Sequence, residues 1–263
     1  MTKSAKLRHH APRRSKCTPK GTCDGVHLEE LGMTELVGVV ASRGMRSIGI
    51  IAVDYLIKKL QPKLIDELYS THFPMIYETQ PSYAAHPDYP GTPGIWLQKI
   101  GAALPKIEFY LSDSPRLLLT RGYHANFQGQ YQVAEQVLDI YEKHSVKRLF
   151  VLAGYGVGEG EVCCAATDLE LIEELKRNGV GTGYEGPFMG FSGLVFGLAK
   201  LRGIKGVCLF GRSQPSVEDP EYPDPRAAKK VLETLSRFLD IDLDLSGFDE
   251  TKASQPESTV IGS

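Results

Sequence analysis

The sequence predicts a three-layer α/β/α sandwich with a mainly parallel central sheet. Three observations carry this reading. Short β-branched apolar runs have the composition of strands buried on both faces. Amphipathic helical segments alternate with them, and glycine-rich turns stand where one element gives way to the next.

Taken in order, "ELVGVVAS" (35–42) is the first buried strand, and "IGIIAVDYLIKKL" (48–60) is a helix. In that helix Ile48, Ile51, Ala52, Tyr55, Leu56 and Leu60 recur at helical spacing, with Ser47 as expected cap and Gln61-Pro62 as stop. "KLIDELYS" and "PMIYET" read as shorter strands, and "QPSYAAHPDYPGTPG" as an irregular excursion rich in Pro, Gly and Tyr. "IWLQKI", "KIEFYLS" and "RLLLTRG" follow as strands. "GQYQVAEQVLDIYEKH" (129–144) is a helix with Tyr131, Ala134, Val137, Leu138 and Tyr141 on one stripe. "VKRLFVLAGYG" (146–156) is a buried strand running into glycine loops. Thr167 and Glu170 form a capping-box pattern before "LELIEELKRNG", which Gly179 closes. A glycine-rich turn then opens a helix over 191–202, with Ser192 as expected cap. Gly193 and Gly197, four apart, mark a face for close backbone packing. The strand "KGVCLFG" (205–211) and the helix "PRAAKKVLETLSRFL" complete the series.

With 263 residues the chain can bury roughly three quarters of its unfolded surface in one core. The expected organisation is a basic, disordered extension over 1–32, a single α/β domain over 33–248 and a polar, flexible tail over 249–263. No run approaches the ~20 apolar residues of a membrane span, so no membrane partner is expected. Five cysteines without regular spacing argue against a disulfide framework and for a reducing, cytoplasmic setting. Residues 1–20 hold seven Lys and Arg and no acid, so with a net charge of -2 overall the remainder carries -9. Aromatic residues do not interleave with those cations, and nucleic acid is not an expected partner.

The loops after buried strands are where chemistry would sit. "AGYGVGEGEV" has glycines at 154, 156, 158 and 160, but a dinucleotide fingerprint started at Gly154 or Gly156 puts Glu159 or Glu161 at its third position, against the dipole logic of that motif. Gly190-Phe191-Ser192-Gly193-Leu194 lacks the second glycine of a nucleophile elbow, and no histidine follows Ser192. Cys17 and Cys23 are too far apart for a structural zinc pair, and Cys208 reads as core. The best candidate for a ligand is an anion site at "SRGMRS", where Arg43, Arg46 and Ser47 stand at the expected start of a helix. No complete catalytic constellation is present, so the expectation is a protein without enzymatic activity, cofactor or metal.

Read together, "SIGIIAVDYLIKKLQPKLIDELYSTHFP", "QGQYQVAEQVLDIYEKHSVKRLFVLAGYG", "ATDLELIEELKRNGV" and "FSGLVFGLAKLRGIKGVCLFG" resemble, in order and spacing, the proteasome assembly chaperone 2 family in its prokaryotic, largely archaeal branch. The resemblance runs from about Leu36 to about Phe248. It implies a fold similar to the purine nucleoside phosphorylase type, no conserved active site and homo-oligomers. It also implies binding to proteasome α-type subunits or a sister chaperone. The contrasting expectation is a nucleoside phosphorylase-like small-molecule enzyme using the anion site at the first strand–helix loop. Some relatives dock through a terminal hydrophobic-Tyr-any residue motif. Val260-Ile261-Gly262-Ser263 lacks that tyrosine, and the basic extension and part of the 80–94 excursion are additions to the family pattern.

Overall fold

The computed structural model describes residues 35–73, 96–98, 101–123, 125–156, 160–182, 184–213 and 222–248. The expected extension, the strand at "PMIYET", the excursion at 80–94 and the tail beyond 248 lie outside them. Their domain boundaries are therefore expectations only.

Five helices and ten strands are present among the described residues. In chain order they are β1 (Val37–Ala41), α1 (Ile48–Leu60), β2 (Lys63–Leu68), β3 (Trp96–Gln98), β4 (Gly101–Ala103), β5 (Ile107–Asp113) and β6 (Arg116–Arg121). There follow α2 (Gln130–Lys143), β7 (Arg148–Tyr155), β8 (Val162–Ala166), α3 (Leu169–Arg177), β9 (Gly181–Thr182), α4 (Gly190–Leu201), β10 (Lys205–Arg212) and α5 (Pro225–Leu239).

Eight strands form one sheet in the order β2-β5-β6-β1-β7-β10-β8-β9, and β3 pairs with β4 in a separate hairpin. The centre, β6-β1-β7-β10, is parallel throughout. These are the strands whose sequences are apolar without alternation, because helices cover both their faces. On one face, α1, α3 and α5 bury Ile48, Leu56, Leu171, Val231 and Leu235 against Val39, Phe150 and Val207. On the other, α2 and α4 bury Val137, Tyr141, Phe191 and Val195 against Val40, Val151 and Cys208. Each such side chain contributes roughly 1.5–3 kcal/mol on full burial. The three-layer α/β fold with a mostly parallel sheet is thus as the sequence predicts. Tyr141 is fully buried, and its hydroxyl is satisfied by Thr120 Oγ1 at 2.7 Å on β6.

Several local expectations shift. "IWLQKI" is not one strand, because the chain turns back between β3 and β4. β8 runs antiparallel to β10 where the sequence suggests only loops. Its run Val162-Cys163-Cys164-Ala165-Ala166 is made of small residues, and only its place between β10 and β9 marks it as a strand. The cap of α3 is Asp168, whose Oδ1 accepts the Leu171 N–H at 3.1 Å. Thr167 sits one position too early and instead accepts the Gly206 N–H at 2.9 Å.

Neither Ser47 nor Ser192 caps a helix. Ser47 holds the N-cap position of α1 in a left-handed conformation and makes no cap bond. Ser192 lies inside α4, whose N-cap is Met189.

Of the paired glycines, Gly193 fits the expectation: an added Cβ would stand 2.1 Å from the Phe188 carbonyl oxygen. Gly197 does not, since apart from its chain neighbours and the helix's own backbone no described atom lies within 4 Å of its Cβ position.

Candidate functional site

The carboxyl ends of the parallel strands gather the loops that the sequence marks as candidates. After β1 the chain makes one 3₁₀ turn, Met45–Ser47, before α1 begins. Arg46 and Ser47 are both left-handed, with φ of 47° and 54°, a conformation that costs non-glycine residues about 1–3 kcal/mol. Packing holds the turn in place. A Cβ on Gly49 would stand 2.2 Å from the Leu152 carbonyl oxygen, and one on Gly154 would stand 3.0 Å from the Met45 carbonyl oxygen. The first turn of α1 therefore rests directly on the backbone of β7.

Arg46 ties this loop to the start of α5. Its Nε donates to the Tyr222 carbonyl at 2.6 Å, and its Nη1 donates to Ser213 Oγ at 2.8 Å and to Asp224 Oδ2 at 3.3 Å. Ser213 Oγ donates to the same carboxylate oxygen at 2.6 Å, and the Asp224 N–H donates back to the Arg46 carbonyl at 2.9 Å. Both charged side chains are largely buried, at 12% and 15% exposure. Asp224 Oδ1 also caps α5 through the Ala227 N–H at 3.0 Å. Such a pair is costly to break, because removing one partner strands the other charge away from water.

The structure thus brings Arg43, Arg46 and Ser47 into one loop and adds Asp224, which the sequence reading did not connect to them. An anion entering here would compete with Asp224 for the Arg46 guanidinium. The one sequence signal for Asp224 is its place before Pro225, a cap followed by proline at the first helical position.

Behind the loop, the hydroxyls of Ser42 and Ser192 stand 3.4 Å apart. The elbow reading of Ser192 therefore ends with its side chain inside a helix and facing another serine. The segment leading into α4 is pinned by aromatic rings. Tyr184 stacks on Phe210 with centroids 4.6 Å apart, and Phe188 meets Phe210 at 4.8 Å. Tyr155 meets Phe210 edge-on at 6.3 Å. Burial first, and contact with Cys163 second, push the Tyr155 hydroxyl up to about 12. Burial raises the thiols of Cys163, Cys164 and Cys208, so none is a thiolate poised near neutral pH.

A cleft of about 1030 Å³ opens beside the Arg46–Asp224 pair. Arg212, at the end of β10, and Arg226, Lys229 and Lys230, in the first two turns of α5, line it together with Glu161 and Glu233. Among the described residues, no group of three or more His, Cys, Asp and Glu side chains is placed to hold a metal. No described helix is long and apolar enough to cross a membrane.

Comparison with known proteins completes the picture. The model of the PAC2 family matches residues 41–255. PbaB of Pyrococcus furiosus, an archaeal proteasome activator, superposes with a TM-score of 0.65 at 27% identity, over 82% of this chain and 88% of its own. PbaA of the same organism, an archaeal homologue of proteasome-assembly chaperone, gives 0.62 at 22% identity, over 81% and 84%. An uncharacterized protein of Methanocaldococcus jannaschii is 32% identical over 152 residues, which are 54% of this chain and 57% of that relative. The match therefore spans less than two thirds of that relative's length.

Proposed function

Because the chain belongs to the PAC2 family, we propose that it is a proteasome-assembly-chaperone-like protein that works by binding rather than by catalysis. In this reading it self-associates in the cytoplasm and engages proteasome α-type subunits or a sister chaperone. The observation that carries the reading is the family match over 41–255, joined to 27% identity with an archaeal proteasome activator along 82% of the chain.

The carboxyl end of the sheet supports it. Phe127 and Met189 are 91% and 81% exposed there, and Tyr131, in the first turn of α2, is also exposed. Large apolar side chains exposed on loops are a common mark of a protein-binding surface. The phosphorylase-like alternative needs a base and a nucleophile in mutual reach. Among the described residues of this loop, the Ser42 and Ser192 hydroxyls face each other, and the Asp224 carboxylate is held by Arg46, Ser213 and the Ala227 N–H.

Size-exclusion chromatography with light scattering, on the full chain alone and mixed with proteasome α subunits, tests the proposal. We expect a mass above that of the monomer for the chain alone and a joint peak with the subunits. A monomer that forms no complex at high micromolar concentration would sink it. Turnover of a nucleoside with phosphate would favour the enzyme instead.

A further inference from the structure

Helix α4 is composed differently from its neighbours. It carries one charged side chain, Lys200, whereas each of the other four described helices carries at least three. Phe191, Val195, Leu198 and Ala199 are its buried side. A helix that is apolar on its remaining sides as well is ordinarily buried on those sides too. Here they are open. Met189, at the N-cap, and Leu201, in the last turn, are 81% and 80% exposed, and Gly197 and Lys200 are exposed between them. The outward sides of the other helices present charge instead: Lys58 and Lys59 on α1, Asp139 and Glu142 on α2, Glu170 and Glu173 on α3, Arg226 and Arg237 on α5.

We propose that the outer side of α4 is where two copies of this chain meet, in an antiparallel contact about a two-fold axis. The contact gives a surface to the self-association proposed above, on which it rests. An isologous contact needs a surface that complements itself, residue i meeting residue j and j meeting i. Met189, Gly197 and Leu201 are spaced by multiples of four and so share one ridge of the helix, the kind that helix pairs most often interdigitate. Met189 and Leu201 stand at opposite ends, about 18 Å apart along the axis, and Gly197 raises no side chain between them. Turning a second α4 end for end sets each Met189 on the partner's Leu201. Charge then fixes the direction. Glu185 is exposed just before the amino end of α4 and Lys200 near its carboxyl end, and neither has an ion-pair partner among the described residues. The antiparallel arrangement carries each Lys200 to the end where the partner's Glu185 stands. A parallel one would set Lys200 against Lys200, and juxtaposed like charges select against a pairing.

Size-exclusion chromatography with light scattering on the full chain and its variants tests this contact. The unaltered chain should run at an even multiple of 29.0 kDa. Met189→Glu and Leu201→Glu each put a carboxylate into the apolar contact. Each should raise its dissociation constant at least about tenfold and halve the mass at matched concentration. Far-UV circular dichroism should not change, since both side chains are exposed. Lys200→Glu should also lower the mass, and combining it with Glu185→Lys should restore it, a recovery that a merely structural role for either residue would not produce. A monomeric unaltered chain, an odd-numbered assembly, an undiminished mass in either apolar-to-glutamate variant, or no recovery in the charge-swapped double variant would each overturn the proposal. So would a mass unmoved by Lys200→Glu. A Leu201→Glu variant of unchanged mass that has lost its joint peak with proteasome α subunits would give this side of α4 to those subunits. That result would end the contact between copies and leave the proposed function standing.

Discussion

At the amino ends of β7 and β10 two arginines, Arg148 and Arg202, are folded onto the protein, whereas at the carboxyl ends Phe127 and Met189 stand out from their loops. At the amino end, Arg148 lies 5.7 Å from the centre of the Phe150 ring and 4.9 Å from that of Phe238. Its Nη2 donates to both oxygens of Glu174 at 2.8 Å. Arg202, after α4, joins Glu135, Asp139 and Glu142 of α2. At the carboxyl end stand Arg46 and Ser47 with left-handed backbones, the cleft beside α5, and the exposed side chains of Phe127 and Met189. In a parallel sheet the loops beyond the carboxyl ends can change without disturbing the strand pairing. Both ends thus hold a buried arginine–carboxylate tie, Arg148–Glu174 at one and Arg46–Asp224 at the other, and they differ in the exposed aromatic and methionine side chains of the carboxyl-end loops.

That contrast can be broken by mutation, and Gly193 offers the largest effect. The carboxyl end depends on backbone pressed against backbone, and Gly193→Ala should lose about 3 kcal/mol by forcing the Phe188 carbonyl away. A urea midpoint equal to that of the unaltered protein would show that the loop yields freely.

Arg148→Ala, at the amino end, should cost about 2 kcal/mol through the lost charged hydrogen bonds from Nη2 to Glu174 and the two ring contacts. Lys205→Ala at the same end should change the midpoint very little, because Lys205 and Glu170 are 54% and 83% exposed and such pairs contribute little. If the two variants melt alike, packing around the rings is not what closes this end.

A smaller effect is expected from pH at the β2 edge. The hydrogen bond from Lys143 holds the Asp66 carboxyl below its usual range, and those from Lys106 and then Tyr69 do so for Glu67. A depressed folded value lends stability that is complete above the unfolded value. That stability is lost as pH falls through the folded value. The melting temperature should therefore drop between about pH 5 and about pH 3. Glu67→Gln should flatten that slope, and an unchanged slope would remove Glu67 from the acid response.

The smallest expected change is a gain. Gly197→Ala should add about 0.5–1 kcal/mol, because the site is open and alanine favours the helix. A loss there would mean that Gly197 is packed after all.

Periodicity and β-branched runs made β1, α1, α2, β7, β10 and α5 legible, since each follows from local pattern. The strand β8 was not legible, because two cysteines and two alanines carry no period and pair only through neighbours far along the chain. The cap of α3 moved from Thr167 to Asp168 for a related reason. Both side chains can cap, and Thr167 is taken by Gly206 on β10. At the candidate site, the loop holding Arg43, Arg46 and Ser47 could be read from residue types alone. The capture of Arg46 by Asp224, 178 residues away, could not. Sequence spacing says nothing of which distant carboxylate a guanidinium will meet.

By itself, then, the sequence determined the alternation of elements, the three layers and the family resemblance, because burial patterns and glycine punctuation are local properties. The tertiary structure alone decided that Gly193 is crowded while Gly197 is open, and that Ser192 faces Ser42 rather than a base. It alone placed the cations of β10 and α5 along one cleft. Those outcomes depend on which surfaces meet when the layers close, and close packing fixes them only once every element is in place.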